Sequence, residues 1–244
     1  MRRIMLVLAY DGTDFYGYQV QNDDRTVQKV LEDAIFKLTG ERVKSVASGR
    51  TDSGVHAEGQ VVHFDTNSTV PGSKFKDALN SLLDKDVRVL KSKEVSTDFH
   101  ARYSAKSKVY KYAIYNGKVE NPLNNRYATF YPYKIDLDKI NDAIKEIVGT
   151  HDFKCFLASG SQVKNTVRTV EYIKVAKKGK LVTFTVKGNG FLYNMVRIIV
   201  GTLLEVSQGR LTTADLKNAV ELKERKLVGK TMPPNGLRLY KVYY

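Results

Sequence analysis

Apolar residues follow two periodicities along the chain, and their order predicts the elements of its first half. An apolar run over residues 4–10 predicts a strand, and further strands are predicted over 43–48, 60–65 and 87–95. Residues 75–83 have a helical pattern, and Gly40 ends another helix. The apolar face of that other helix has helical spacing and consists of Val27, Val30, Leu31, Ala34, Ile35 and Leu38. The predicted order is β-α-β-β-α-β.

The second half of the chain repeats this order. Strands are predicted over 109–115, 169–176, 181–186 and 236–244. Asp136 is placed to cap a helix that Gly149 ends, and the nearly all-apolar segment 191–206 predicts another helix. Thr212 with Asp215 resembles a capping box that opens a further helix.

Two similar halves predict an α+β protein with an internal duplication. Each half has the order of a ferredoxin-like unit, which also occurs in RNA-recognition domains. We expect the two halves to form one long mixed, mostly antiparallel sheet with helices on one face. The boundary is predicted near Ala105, which gives an N-terminal half of 1–105 and a C-terminal half of 106–244.

Charge divides unevenly between these halves. The 244-residue chain has a formal net charge of +14. Residues 1–105 hold 15 basic and 15 acidic residues, whereas residues 106–244 hold 25 and 11. A basic half of this kind predicts an anionic partner, most plausibly nucleic acid, although solvated surface lysines are the simpler alternative. The 15 tyrosines and 10 phenylalanines supply rings that can stack on bases, although most are expected in the core.

Several classes of protein are disfavoured by composition. Cys155 is the single cysteine, and the four histidines lack ligand spacing, so we expect no disulfide and no metal site. No apolar run is long enough for a membrane span, and the N-terminal residues are interpreted as a strand rather than a signal peptide. Neither a Walker-type loop nor a complete dinucleotide fingerprint occurs, so no cofactor is expected. A reducing cytoplasm is the expected location.

One motif places a single carboxylate between two glycines. Asp52 lies in the stretch Gly49-Arg50-Thr51-Asp52-Ser53-Gly54-Val55-His56-Ala57. Glycines permit a tight turn and close approach of a bulky partner. In a basic protein, such an aspartate suggests a nucleophile or base that acts on a polyanion. The alternative is a polar turn in which Asp52 hydrogen-bonds its own backbone.

Two residues of the second half have unusual surroundings. Arg197 lies in an apolar stretch, where a buried guanidinium is costly unless it is paired. It is expected to face solvent, to pair with a structural acid such as Glu205, or to pair with Asp52. Tyr110 lies within a lysine-rich strand, either as a core tyrosine or as a ring that stacks on a base.

Together these segments resemble the tRNA pseudouridine synthase A family over nearly the whole chain. Tyr18 stands where the family usually has tryptophan, and Lys108 stands where arginine is frequent. The markers are Tyr10-Asp11-Gly12-Thr13 with Phe15 and Gly17-Tyr18-Gln19; Gly49 through Ala57; Phe99-His100-Ala101-Arg102; Tyr110-Lys111-Tyr112; Asn194-Met195-Val196-Arg197; and Pro233-Pro234-Asn235-Gly236-Leu237.

The resemblance implies an isomerase that converts uridine to pseudouridine at positions 38, 39 and 40 of the tRNA anticodon stem-loop. It also implies a homodimer that needs no cofactor or metal. Asp52 matches the nucleophile, Tyr110 the tyrosine that packs against the target base, and Arg197 the partner of the aspartate. Leu237 matches an apolar wall of the uracil pocket. Arg50 matches an arginine expected to contact RNA or to stabilise the flipped nucleotide.

Two other functions remain open from the sequence. A non-catalytic RNA-binding module would bind tRNA without isomerising uridine. A hydrolase with Asp52 as general base would instead break RNA strands.

Overall fold

The computed structural model describes residues 1–22 and 24–244. It divides into two compact units, the first made of Met1–Lys106 with Arg238–Tyr244 and the second of Ser107–Leu237. The strands are β1 Arg2–Tyr10, β2 Val46–Ala47, β3 His56–Thr66, β4 Val87–Val95, β5 Ser107–Tyr115, β6 Thr129–Phe130, β7 Gly149–Asp152, β8 Val167–Lys178, β9 Leu181–Gly188 and β10 Leu237–Tyr243. The α-helices are α1 Val27–Thr39, α2 Phe75–Asn80, α3 Leu137–Ile144, α4 Met195–Ser207 and α5 Thr213–Leu222.

The first unit is a ferredoxin-like sheet with two helices. Strand β1 pairs antiparallel with both β4 and β3, and β3 also pairs antiparallel with the short strand β2. Strand β10 runs parallel to β3 at Arg238 and Leu239, opposite His56 and Ala57. Alternate side chains of β1 are buried, including Ile4, Leu6 and Leu8, each 0% exposed. This alternation is expected for a sheet with one face on the core.

Particular residues mark the ends of the helices of the first unit. The Thr26 hydroxyl caps α1 by accepting from the Lys29 amide, and Gly40 ends it with a φ of 73°. This stop confirms the prediction made at Gly40. Helix α2 is shorter than the predicted 75–83. The side chain of its last residue, Asn80, exchanges two 2.8 Å hydrogen bonds with the backbone of Val89. The predicted strand over 43–48 is reduced to the two residues of β2.

The second unit contains an antiparallel sheet with the order β5-β9-β8-β7, and β6 runs parallel to the end of β5. Asp136 caps α3 as predicted, with its carboxylate accepting from the amides of Asp138 and Lys139. The capping box of Thr212 and Asp215 also forms, and it opens α5. Helix α4 begins four residues later than predicted. Asn194 has a left-handed φ of 59°, so the regular helix starts only at Met195.

The predicted α+β class is confirmed in both units. The first unit has the predicted β-α-β-β-α-β order followed by β10. The second unit has the order only up to its second helix, without the closing strand, and also contains β6, β7 and α5. The sequence analysis assigned residues 106–244 to one half. In the structure, 238–244 instead group with the first unit, in which β10 pairs with β3.

The buried His63 joins the strands of the first unit to the segment that follows β4. Its ring is 4% exposed, and Nδ1 accepts a 3.1 Å hydrogen bond from the Ala101 amide. Arg3 forms two hydrogen bonds with Asp65, of 2.7 and 2.8 Å, and also donates to the Phe99 carbonyl. Burial, together with the nearby charges of Arg3 and His100, lowers the pKa of His63 to about 4, against an opposing effect of Asp65.

This histidine makes stability depend on pH in a defined direction. Below about pH 6.5 the unfolded chain binds a proton at His63, whereas the folded protein does not bind it until about pH 4. The free energy of unfolding should therefore fall as pH falls through this window, by about 2 kcal/mol between pH 6.5 and 5. Urea denaturation of wild type and His63→Gln at pH 7.5 and 5 measures the effect. The variant should lose less stability on acidification, and parallel losses in the two proteins would contradict this assignment.

Candidate active site

Asp52 lies on the loop that connects β2 to β3. Its side chain is half-buried, Thr51 is buried, and Arg50 is exposed. Gln60, which is 0% exposed, fixes the start of the loop. Its amide nitrogen donates to the Gly49 carbonyl at 2.7 Å, and its amide oxygen accepts from the Ser48 hydroxyl at 2.6 Å. Because Gln60 belongs to β3, the sheet itself positions the first residues of this loop.

The segment between β1 and α1 holds the backbone on both sides of Asp52. The Tyr18 amide donates to the Thr51 carbonyl at 3.0 Å, and the Gly54 amide donates to the Phe15 carbonyl at 3.3 Å. The Tyr10 and Thr51 hydroxyls are hydrogen-bonded at 2.8 Å. Burial raises the pKa of Tyr10 to about 12, so this phenol stays neutral over the ordinary pH range. Asp52 therefore lies between residues whose positions are fixed by hydrogen bonds.

Two glycines of this segment allow the close approach. A Cβ at Gly12 would lie 2.0 Å from the Val55 carbonyl oxygen, and one at Gly17 would lie 2.8 Å from that of Thr51. Gly17 also has a φ of 84°, which side-chain-bearing residues rarely adopt. The sequence analysis attributed the room around Asp52 to Gly49 and Gly54. Gly54 does have a positive φ, of 76°, but the clearance supplied by Gly12 and Gly17 was missed.

Two further residues support the motif. Asp11 closes a turn after β1, where its carboxylate accepts from the Thr13 amide at 3.0 Å and from the Thr13 hydroxyl at 2.6 Å. Buried His56 accepts at Nδ1 from the Gly12 amide at 3.0 Å. The sequence analysis gave His56 no role. Its place as the last but one residue of the Asp52 motif was the signal that pointed to it.

Tyr110 lies in the interior of the second unit. It belongs to β5 opposite Val186 of β9, is 8% exposed, and packs edge-to-face against Phe191 with ring centroids 5.1 Å apart. This environment is that of a core tyrosine, which the sequence analysis gave as one of two alternatives. Its contact with a target base stays a prediction.

Arg197 lies in the first turn of α4, where two groups orient its guanidinium. Nε donates to the Met232 carbonyl at 2.6 Å, and one terminal nitrogen donates to the Asn194 side chain at 2.7 Å. Glu205, an alternative partner in the sequence analysis, forms an ion pair with Arg210 at 2.9 Å. The predicted pairing of Arg197 with Asp52, which belongs to the other unit, stays a prediction.

The segment from Gly229 to Met232, whose last carbonyl accepts from Arg197, packs closely against α4. A Cβ at Gly201 would lie 2.0 Å from the Lys230 carbonyl oxygen, and one at Gly229 would lie 2.6 Å from the Gly201 backbone. The Gly229 amide donates to the Thr202 hydroxyl at 2.9 Å. These close contacts fix the Met232 carbonyl that accepts from Arg197.

Leu237 follows directly on a short turn that is anchored inside the second unit. The Tyr112 hydroxyl donates to the Pro233 carbonyl at 2.8 Å, and the Thr129 hydroxyl donates to Asn235 at 3.0 Å. Leu237 is 6% exposed. The structure thus connects the turn before Leu237 to the strand that carries Tyr110, whereas Asp52 and Arg50 belong to the first unit. A role of Leu237 in a uracil pocket stays a prediction.

The described residues contain neither a candidate metal cluster nor a candidate membrane span. Among residues 1–22 and 24–244, no group of three or more His, Cys, Asp and Glu side chains is arranged to hold a metal ion. In the same part of the chain, each helix is too short or too polar to span a bilayer.

Comparison with known proteins gives matches over the whole chain. The model of the family described as tRNA pseudouridine synthase matches residues 6–104 and 143–244. The protein named tRNA pseudouridine synthase A from Acetivibrio thermocellus is 45% identical over 244 residues, which cover 100% of both chains. The protein of that name from Bacillus pumilus is 46% identical over 99% of both chains.

Solved structures give weaker matches. A chain from a crystal structure of a Cbf5-Nop10-Gar1 complex is 18% identical, with a TM-score of 0.41 over 97% of this chain and 48% of that chain. The present chain therefore spans about half the length of that solved chain.

The full-length identity and the family match lead to one conclusion. The chain belongs to the tRNA pseudouridine synthase family, and it is an RNA-modifying isomerase. The resemblance recognised from the sequence motifs is confirmed.

Gly17 provides a test of how the Asp52 loop is held. Gly17→Ala should lower kcat for pseudouridine formation at least about tenfold, because the added Cβ forces the Thr51 backbone away. Gly40→Ala is the matched control, since Gly40 also has a positive φ but has nothing within 4 Å of an added Cβ. The control should lose about 1 kcal/mol of stability and keep its kcat. Steady-state kinetics well below the unfolding temperature measure both, and a wild-type kcat in Gly17→Ala would contradict the assignment.

Proposed function

We propose that the protein isomerises uridine to pseudouridine at positions 38, 39 and 40 of the tRNA anticodon stem-loop, with Asp52 as the nucleophile. The observation that carries the proposal is the placement of Asp52. Hydrogen bonds to Thr51 and Gly54 fix the backbone on either side of this one half-buried carboxylate. A carboxylate positioned in this way supplies a nucleophile without a metal or cofactor.

The reaction requires the target uridine to leave its stack. Base flipping costs a few kcal/mol, and the cost is lower in a loop or at a weak stem end than inside a duplex. Phosphate contacts made by some of the basic residues within 106–244 offset it. Exposed Arg50, two residues before Asp52, has the charge and reach to contact the backbone of the flipped nucleotide.

Asp52 then attacks the anomeric carbon or the uracil ring, or removes a proton to form a glycal. The glycosidic bond to N1 breaks, and the base rotates while it is held. Carbon 5 then bonds to the anomeric carbon, and any bond formed to Asp52 breaks. The proton on carbon 5 leaves, and N1 takes up a proton. Tyr110 packs against the base, Arg197 keeps the Asp52 carboxylate ionised, and Leu237 closes the apolar wall that retains the freed uracil. Electrostatic pairing of this kind favours the charged form of a carboxylate.

The proposal extends to assembly and location. We propose that the protein acts as a homodimer in the cytoplasm, with no small-molecule cofactor. Its family membership and its charge, which suits a polyanionic substrate, support this setting.

Asp52→Asn tests the chemistry with almost no change in shape. The rate of pseudouridine formation should fall at least about 10³-fold, as expected for loss of a nucleophile. Binding of tRNA should stay within about threefold, because the contacts that hold the loop are mostly made by its backbone. Asp33→Asn, at an exposed position of α1, is the matched control and should keep wild-type activity. Single-turnover assays on unmodified tRNA, paired with filter-binding measurements, provide both readouts.

The same assays separate the alternatives. Retention of activity by Asp52→Asn would refute the role of this carboxylate. A wild type that binds tRNA without isomerising it would indicate the non-catalytic binding module. Strand breaks in the product RNA would indicate the hydrolase.

A further inference from the structure

One face of the second unit's sheet carries an array of lysines that the proposed chemistry does not use. Within β8 and β9, Ile173, Phe184 and Val186 are at most 6% exposed and point to the covered side. Alternate residues of a strand point to opposite faces, so their neighbours lie on the other side. We define the lysine face as Lys111, Tyr172, Lys174, Lys178, Thr185 and Lys187.

Strand register places these residues in rows. Thr185 is paired with Lys111 on one side and with Lys174 on the other. Lys187 is paired with Tyr172 one row away. Rows are about 7 Å apart along a strand, and Lys111 and Lys174 are separated by two strand spacings, about 10 Å. The positive charges are therefore spread over a surface rather than gathered at one point.

The charge of the lysine face is predominantly positive. Lys174 and Lys178 are exposed, and Lys111 and Lys187 are partly exposed. Glu171 offsets one of the four charges through a 2.6 Å ion pair with Lys187. The Lys174 ammonium lies 5.1 Å from the centre of the Tyr172 ring, so an aromatic surface adjoins the charges.

These chemical groups match an RNA backbone. Lysines neutralise phosphates, hydroxyls such as that of Thr185 bond to phosphate or ribose oxygens, and tyrosines contact sugars and bases. A second copy of the chain is a poor fit for this surface. In a twofold dimer the same patch would face itself, which would bring like charges together.

We propose that the lysine face is a docking surface for the phosphate backbone of a helical stem of the RNA substrate. This inference rests on the proposed function, because it assigns a second contact region to the tRNA on which that function acts. The face binds RNA through its backbone and leaves the reacting uridine to the Asp52 site. Its removal should therefore raise KM and leave kcat unchanged.

The double variant K174A/K178A tests the proposal in the full-length protein. Tyr110 and Arg197 are unchanged in it. Binding to unmodified tRNA, measured across a range of salt concentrations, should show a Kd about tenfold higher at 0.1 M salt. The slope of log K against log salt should become shallower by about 2, because each of the two removed ammonium groups neutralises about one phosphate.

A second double variant controls for the change in net charge. K145A/K217A removes two exposed lysines from the helical part of the same unit, at the end of α3 and within α5. Its Kd should stay within about twofold of wild type. Steady-state kinetics of both variants should show a raised KM for K174A/K178A alone, with kcat within about twofold of wild type.

The other possible results decide separately on the docking surface and on the proposed function. Equal affinity of the two double variants would overturn the docking surface, while pseudouridine formation by wild type would still support the proposed function. A change in oligomeric state of K174A/K178A in sedimentation, with unchanged tRNA affinity, would show that a second copy covers the face and would also overturn the proposal. If wild type formed no pseudouridine but K174A/K178A still bound tRNA more weakly, the proposed function would fail and the docking surface would stand.

Discussion

The arrangement of the first unit depends on one close contact between two backbone segments. Gly12 and Gly17, which follow β1, lie so near the Asp52 loop that an added Cβ would overlap the Val55 or Thr51 carbonyl. The same segment also begins α1, since the Gly17 and Tyr18 carbonyls accept from the amides of Val27 and Gln28. One short stretch therefore connects the first strand, the first helix and the Asp52 loop. This connection fixes the position of an aspartate that is too short to reach far by itself.

In the second unit, a similar close contact between backbone segments positions Arg197. Gly201 and Gly229 bring the segment before β10 against α4, and the Met232 carbonyl of that segment accepts from Arg197. Close packing without side chains leaves little room for adjustment, and geometry held this tightly favours reactions that depend on orientation. In both units, glycine serves to allow close contact between segments rather than to provide flexibility.

Local signals in the sequence predicted much of the fold. The caps at Asp136 and Thr212 and the stop at Gly40 were correct, because each depends on side-chain or backbone chemistry within a few residues. Other local signals failed: α3 ends at Ile144 rather than at Gly149, which begins β7, and α4 begins only after Asn194. Contacts between distant residues were not predicted: Asn80 at the end of α2 bonds to β4, and the last strand, which groups with the first unit, pairs with β3.

The same distinction applies to the candidate site. Asp52, Tyr110 and Arg197 could be singled out from the sequence. Arg197 is a charged residue in an apolar stretch, and all three lie in motifs of the family. Gly12 and His56 also lie in these motifs, but their supporting roles, like that of Gln60, are visible only once β1 and β3 lie side by side. Glycines that allow two backbone segments to approach closely do not recur at a regular spacing in the sequence. A glycine that permits such an approach looks the same as a glycine in an ordinary turn.

We propose that this chain isomerises specific uridines of tRNA with its own side chains alone. The most direct measurement is incubation of the wild-type protein with an unmodified tRNA transcript in the absence of any cofactor, followed by position-resolved mapping of pseudouridine. Pseudouridine should form at uridines in positions 38, 39 and 40 and nowhere else. A transcript that remains unmodified at those positions, or that is modified only at others, would contradict this proposal.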